Sequence, residues 1–198
     1  MKEALIMGKG VDRSIFYFDE KGPLNTEKTL EIALEHAWEL GIGTIVVASS
    51  TGKTALKLHG MAENRVKIVA VTYNAGSRFR SEVEEFNRNC NLLFEKGIAV
   101  VRGLHALSGP EKAFSDKYKT IFLPLNIVAD TLRMFSQGVK VCVEITIMAA
   151  EHGFVTTDEE VVAVGGSGHG ADTALVMKPV FAADMFKARI KALLCIPG

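Results

Sequence analysis

Short apolar runs alternate along this chain with segments whose apolar residues recur at helical spacing. Ile15-Phe16-Tyr17-Phe18 reads as a strand that ends in the polar turn 19–23. Asn25 or Thr26 can cap a helix whose buried face is Leu30, Ala33, Leu34, Ala37 and Trp38, stopped by Gly41 and Gly43. Thr44–Ala48 gives a second strand, and a helix is expected to start at Gly52. Residues 66–72 form a third strand. Phe79, Val83, Phe86, Cys90 and Leu93 then recur at steps of four and three, the mark of an amphipathic helix. Gly97 closes that helix, and residues 98–101 form a fourth strand.

The second half is less regular. Residues 119–125 give another apolar run, followed by Asn126 as a cap and a helix through Val128, Leu132 and Phe135 to Gln137-Gly138. Residues 139–147 alternate like a strand, but the segment finishes like a helix with a glycine stop at Gly153, so a helix is favoured. Residues 161–164 and 173–177 are two late strands on either side of a glycine-rich loop. No assignment follows from the pattern for the last twenty residues.

Apolar strands separated by helices imply a mostly parallel sheet covered on both faces. In such sheets ligands sit beyond the carboxyl ends of the strands, near a reversal of strand order. Three turns should therefore converge: 49–54, 73–80 and 165–172. Residues 102–105 and Asn126 should approach the same edge.

Composition narrows the class. The 198 residues are 48% hydrophobic, enough for the sizeable core of one domain, with 23 basic and 23 acidic side chains. That balance offers no basic field for nucleic acid or an anionic membrane surface. The three cysteines, Cys90, Cys142 and Cys195, fit neither a disulfide framework nor a zinc spacing. The amino terminus lacks the apolar core of a signal peptide and no run approaches a membrane span, so a cytoplasmic protein is expected. A homo-oligomer stays open.

The candidate chemistry lies in the turns. Ser49-Ser50-Thr51-Gly52-Lys53-Thr54 empties from a strand into a helix start, where free amides, hydroxyls and one lysine suit a dianionic phosphate. The helix-end charge adds roughly 0.3–1 kcal/mol and each charge-assisted hydrogen bond about 1.5–3 kcal/mol. Read structurally instead, the turn needs only Ser50 or Thr51 as a cap and a solvated Lys53. Gly52-Lys53-Thr54 is not a Walker A motif, because Val47 stands where that motif needs its first glycine. Gly166-Ser167-Gly168-His169-Gly170-Ala171 imitates the dinucleotide fingerprint but leads into a strand rather than a helix, so that assignment fails. Gly165 and its neighbours read equally as a hairpin connection and as a loop lining a ligand. Thr72 ends the third strand beside the turn that contains Gly76 and Ser77, where Arg78 could meet a second anionic group. Lys140 and Glu144, four apart, read as an ordinary surface pair. His169 is the one histidine in a candidate loop, and no catalytic constellation stands out.

Ser50-Thr51-Gly52-Lys53-Thr54-Ala55 after an apolar strand resembles the effector-phosphate loop of the pyruvate kinase carboxyl-terminal domain. Val69-Ala70-Val71-Thr72 resembles the strand that follows there, and Thr173-Ala174-Leu175-Val176 resembles that domain's closing strand. The likeness is clearest over residues 26–75 and 160–178, whereas 98–153 departs from it. The whole chain looks most like the stand-alone, mostly archaeal proteins named for that domain, with which bound flavin mononucleotide (FMN) is associated. The resemblance implies a three-layer α/β/α domain and a phosphate pocket at residues 49–54. It does not imply kinase activity, since phosphoryl transfer belongs to a barrel of roughly 250 residues. FMN would be gripped by Ser49, Ser50, Thr51, Gly52, Lys53 and Thr54, with Thr72, Gly76, Ser77, Arg78 and Gly165, Gly166, Ser167, Gly168, His169, Gly170 lining the remainder. The alternative ligand is a sugar phosphate on a non-catalytic regulatory module.

Overall fold

A computed structural model describes residues 10–108, 111–120 and 123–198. Strands β1 (Phe16–Phe18), β2 (Thr44–Ala48), β3 (Lys67–Thr72), β4 (Ala99–Arg102), β5 (Val161–Gly165), β6 (Thr173–Lys178) and β7 (Arg189–Pro197) form one sheet in the order β1-β7-β6-β5-β2-β3-β4. Pairs β1·β7, β2·β3, β2·β5 and β3·β4 are parallel, and β5·β6 and β6·β7 are antiparallel. The sheet is mostly parallel but mixed.

Helices α1 (Thr26–Glu39), α2 (Lys53–Met61) and α3 (Arg80–Glu95) supply one core layer, in which Leu30, Leu34, Leu58, Phe86 and Leu93 pack on Ile45, Val47, Ile68 and Val164. The other face is covered by α6 (Gln137–Glu151), whose Val139, Cys142, Ile147 and Met148 pack on Val46, Val69, Ala163 and Leu175. Ile45, Val46 and Val47 alternate between the two layers because successive strand side chains point to opposite faces. Each fully buried side chain of this size stabilises by about 1.5–3 kcal/mol. Helices α4 (Glu111–Tyr118) and α5 (Pro124–Arg133) lie between β4 and α6 in the chain. Among the described residues no helix is long and apolar enough to cross a membrane.

Four expectations change. Residues 121–122 of the apolar run 119–125, like residues 1–9 of the amino terminus, lie outside the described residues. The described residues 119, 120 and 123 belong to no helix or strand, and Pro124 opens α5 with Leu123, not Asn126, at the cap position. Proline suits a helix start, where its missing amide is not needed. The helix read through to Gln137-Gly138 ends at Arg133, and Gly138 belongs inside α6. Gly138 serves close packing there, since a Cβ would lie 2.0 Å from Thr173 Oγ1. Finally, β7 occupies residues that the pattern left unassigned. It inserts between β6 and β1 and is deeply buried only over Leu194–Ile196.

From β2 the chain steps outward to β3 and β4, then returns to place β5 on the other side of β2. The crossovers on the two sides run over opposite faces, α2 and α3 on one and α6 on the other. A crevice must open between the carboxyl ends of β2 and β5.

Candidate functional site

Beyond β2 the chain keeps its ladder for one more residue, with the Ser49 amide donating to the Val71 carbonyl at 2.9 Å. Gly52, at the cap position of α2, has φ 87 and no side chain to cap with. The buried Ser49 hydroxyl makes the bond instead, accepting from the Ala55 amide at 3.2 Å. Thr51 Oγ1 lies 3.5 Å from the Lys53 amide, at the limit of a hydrogen bond. The amides of Gly52 and Thr54 donate to nothing among the described residues. The turn is held from outside by Asn89 Nδ2, which donates to the Thr51 carbonyl at 2.7 Å, and by the Thr72 hydroxyl, which donates to the Ser50 carbonyl at 3.2 Å. Lys53 is paired with Glu85 rather than free in solvent. The helix start thus keeps two amides open, while Ser49 is spent on the fold.

The glycine loop closes the other side. Residues 166–172 join antiparallel strands, so the connection is a hairpin. It also lines the crevice, so the two readings of its sequence coexist. Asp172, fully buried, organises it by accepting from the amides of Gly22 at 3.0 Å and Ser167 at 3.1 Å and from the Thr173 hydroxyl at 2.9 Å. Thr26 Oγ1 accepts from the Ala171 amide at 3.0 Å, docking the loop on the start of α1.

A cleft of about 680 Å³ lies at the carboxyl ends of β2, β3 and β5. Ser49, Ser50, Thr54, Thr72, Gly76, Ser77, Arg78, Gly166, Gly168 and Gly170 all line it, as the convergence of three turns requires. A smaller cavity of about 590 Å³ holds Thr51, Lys53 and His169, and shares Ser50, Thr54 and Gly170 with the first. The turn is the seam between the two. Gly52, Gly165 and Ser167 line neither: Gly52 shapes the helix start, Gly165 lies in β5, and Ser167 ties the loop to Asp172. Asn126 does not reach the edge. Arg102 turns away to donate to Asn87 Oδ1 at 2.8 Å, although Leu104 and His105 do enter the cleft.

The largest correction concerns Lys140 and Glu144. They are not a surface pair. Their side chains are 8% and 3% exposed, with Nζ 2.6 Å from Glu144 Oε2. Twelve of the fifteen residues of α6 are buried, so i,i+4 spacing puts the pair in the cleft wall rather than in water. Glu144 also lies 3.2 Å from His105 Nδ1 and accepts the Leu107 amide at 3.2 Å. Burial alone would raise its pKa, but the His105 hydrogen bond and the Lys140 charge together bring it down to about 2. An ionised Glu144 can only accept, so His105 Nδ1 carries the proton of that bond. Tyr73 lies 5.9 Å from the His105 ring and stacks on Phe79 at 5.0 Å. Burial, then the Glu82 charge, pushes the Tyr73 phenol upward, so it stays neutral and able to donate. The signal in the sequence was two charges inside an otherwise apolar stretch. For His105 the one signal was the expected approach of residues 102–105 to this edge, with nothing to mark the histidine itself as a partner of the pair.

The model of the pyruvate kinase α/β domain matches residues 27–177. The chain belongs to that family. It is also similar to the crystal structure of Cryptosporidium parvum pyruvate kinase, with 15% identity and a TM-score of 0.40 over 81% of this chain and 24% of the enzyme. Against the same organism's pyruvate kinase in complex with ADP the values are 18% identity and TM-score 0.38, over 78% and 23%. The chain spans about a quarter of the length of these enzymes. Within the family's domain, the charge of the cleft stands out. In a chain of zero net charge, its lining carries Arg78, Arg80, Arg133 and Lys140 against Glu144 alone. Arg133 shares part of its charge with Asp130 on the rim. No group of three or more His, Cys, Asp or Glu able to hold a metal ion occurs among the described residues.

Proposed function

We propose that this chain binds a phosphorylated small molecule in the cleft, with its phosphate at the seam formed by Ser50, Thr54 and Gly170. The single observation behind this reading is a cationic cleft at the strand-order reversal, next to a helix start with open amides. Low-dielectric walls lined by one sign of charge concentrate ligands of the other sign. No pyruvate kinase activity is expected of it.

FMN is the leading ligand. The unpaired Thr54 amide and the Ser50 and Thr54 hydroxyls suit its phosphate, and Tyr73, Phe79, Ile145 and Met148 offer its ring an apolar wall. Cavities of this size accept drug-sized and cofactor-sized molecules. When bound, the flavin would supply the redox chemistry, making the protein a small oxidoreductase. The chain's part is to grip the phosphate and exclude water from the ring. The alternative is a sugar phosphate on a regulatory module, which would extend into the second cavity, where Lys53 and Lys57 are balanced by Glu82 and Glu85.

Absorption of the purified protein and titration with FMN, riboflavin and a sugar bisphosphate separate these readings. FMN should raise stability by about 2.7 kcal/mol at a hundredfold excess over its Kd. Riboflavin, lacking the phosphate, should bind at least tenfold more weakly. Thr54→Ala combined with Ser50→Ala should cost FMN affinity about tenfold or more, the loss of one charge-assisted hydrogen bond. Equal affinities for riboflavin and FMN would remove the phosphate from this turn. A colourless protein stabilised by the sugar bisphosphate alone would favour the regulatory module.

A further inference from the structure

The cleft contains a second polar centre that a phosphate at the turn does not use. Lys140, Glu144 and His105 lie on α6 and on the segment after β4, with Tyr73 against the histidine. A buried lysine–glutamate pair is weak evidence for stability, because the desolvation it pays commonly exceeds its Coulombic gain. Its place in the wall of a cleft, with a strongly perturbed carboxylate, is the usual mark of a working site.

The donor count says what the centre can take. Glu144 has three partners, the Lys140 ammonium, His105 Nδ1 and the Leu107 amide. Lys140 has three N–H donors and makes one hydrogen bond among the described residues, the one to Glu144. His105 likewise spends only Nδ1. Two ammonium donors are therefore left over, with His105 Nε2 as an acceptor beside them, and all belong to residues that line the cleft. Arg78, Arg80 and Arg133 add positive charge to the same lining.

We propose that Lys140, held in place by Glu144 beside the His105 ring, forms a subsite for a carboxylate. Its ligand is a small carboxylate-bearing molecule bound beside, or joined to, the phosphorylated group. Lys140 supplies charge and its two spare N–H donors to the carboxylate, while His105 Nε2, an acceptor once Nδ1 holds the proton, takes a hydroxyl of the same ligand or a water beside it. The neutral Tyr73 phenol is a further donor at the same end of the cleft. Glu144 is a positioning residue: it fixes the His105 ring and holds the ammonium in the wall. The subsite does not depend on what the phosphate turn holds.

Titrating the isotope-labelled full chain with two probes, inorganic phosphate and malonate, reads the two centres separately by nuclear magnetic resonance. Malonate should give saturable shifts at the His105 ring and around Lys140, and phosphate should move the Gly52 and Thr54 amides. Lys140→Met alone strands a buried carboxylate, so the test variant is Lys140→Met with Glu144→Gln, whose side-chain oxygen can still accept from the Leu107 amide and His105 Nδ1. That variant should keep its melting temperature within a few degrees and its phosphate shifts, and lose malonate affinity at least tenfold. Absent or non-saturating malonate shifts in the unmodified protein would overturn the subsite, as would unchanged malonate affinity in a folded double variant. Equal response of both centres to both anions would also overturn it, reducing the cleft to a general cationic surface. Phosphate failing at Gly52 and Thr54 while malonate succeeds at His105 would defeat only the placement of the phosphate.

Discussion

Two lysine–glutamate pairs flank the same cleft region and differ in almost every physical respect. Lys53–Glu85 spans the start of α2 and α3, with side chains 72% and 28% exposed. Lys140–Glu144 lies along one face of α6 at 8% and 3%. In water a pair of this kind contributes a median of about 0–1 kcal/mol, because solvation, side-chain entropy and salt all work against it. Inside a cleft wall the same two groups are locked together, since removing one leaves the other charged and dry. Residue type and even spacing are therefore poor guides to what an ion pair does. The environment that the rest of the chain builds around it decides.

That contrast can be broken most forcefully at Glu144. Glu144→Ala should cost about 3–5 kcal/mol in urea unfolding, whereas Lys140→Met with Glu144→Gln should cost clearly less, because no buried charge is stranded and the Leu107 amide keeps its acceptor. A Glu144→Ala protein within 1 kcal/mol of the parent would mean the pair is solvated after all. Acid offers a gentler probe of the same group. Its folded pKa of about 2 lies below the ordinary 4.5, so its contribution is fully present above about pH 4.5 and disappears as pH falls towards 2. Unfolding free energy measured against pH should lose slope across that window in Glu144→Gln, and an unchanged slope would assign the acid sensitivity elsewhere.

Smaller effects test the rim. Gly170 has φ 74, and a Cβ there would lie 2.4 Å from Thr26 Oγ1 and 2.8 Å from Pro23 Cα. Gly170→Ala should cost about 1–3 kcal/mol in unfolding and reduce ligand binding with it, because the loop must back away from α1. Smallest of all, Lys53→Ala should change stability by no more than about 1 kcal/mol, with the difference fading as salt is raised. A larger, salt-insensitive loss would make the two pairs alike.

How far these features could be read from the residues follows the same division. The 50s turn was legible because strand, glycine and helix signals are local, and local signals survive folding. The α1 and α3 faces were legible for the same reason: each helix is wet on one side, so its pattern has a period. Helix α6 is buried nearly all round, and its alternation of valine and isoleucine carried no reliable period. The cluster of His105, Lys140 and Glu144 was hidden because its members are 35 or more positions apart on one side, and the fold alone brings them to 3.2 Å. Strand β7 was missed since its first half is exposed and its pairing to β1 and β6 is set by sequence-distant partners.

By itself, then, the sequence determined an α/β sheet with helices on both faces and a strand-to-helix turn at the end of β2. Those outcomes rest on periodicity, capping and glycine punctuation, which act within a few residues. Only the tertiary structure decided which strands lie on either side of β2, which serine is spent as a cap, and which charges are shut away from water. Burial and dielectric belong to assembled surroundings, and no stretch of chain carries them alone.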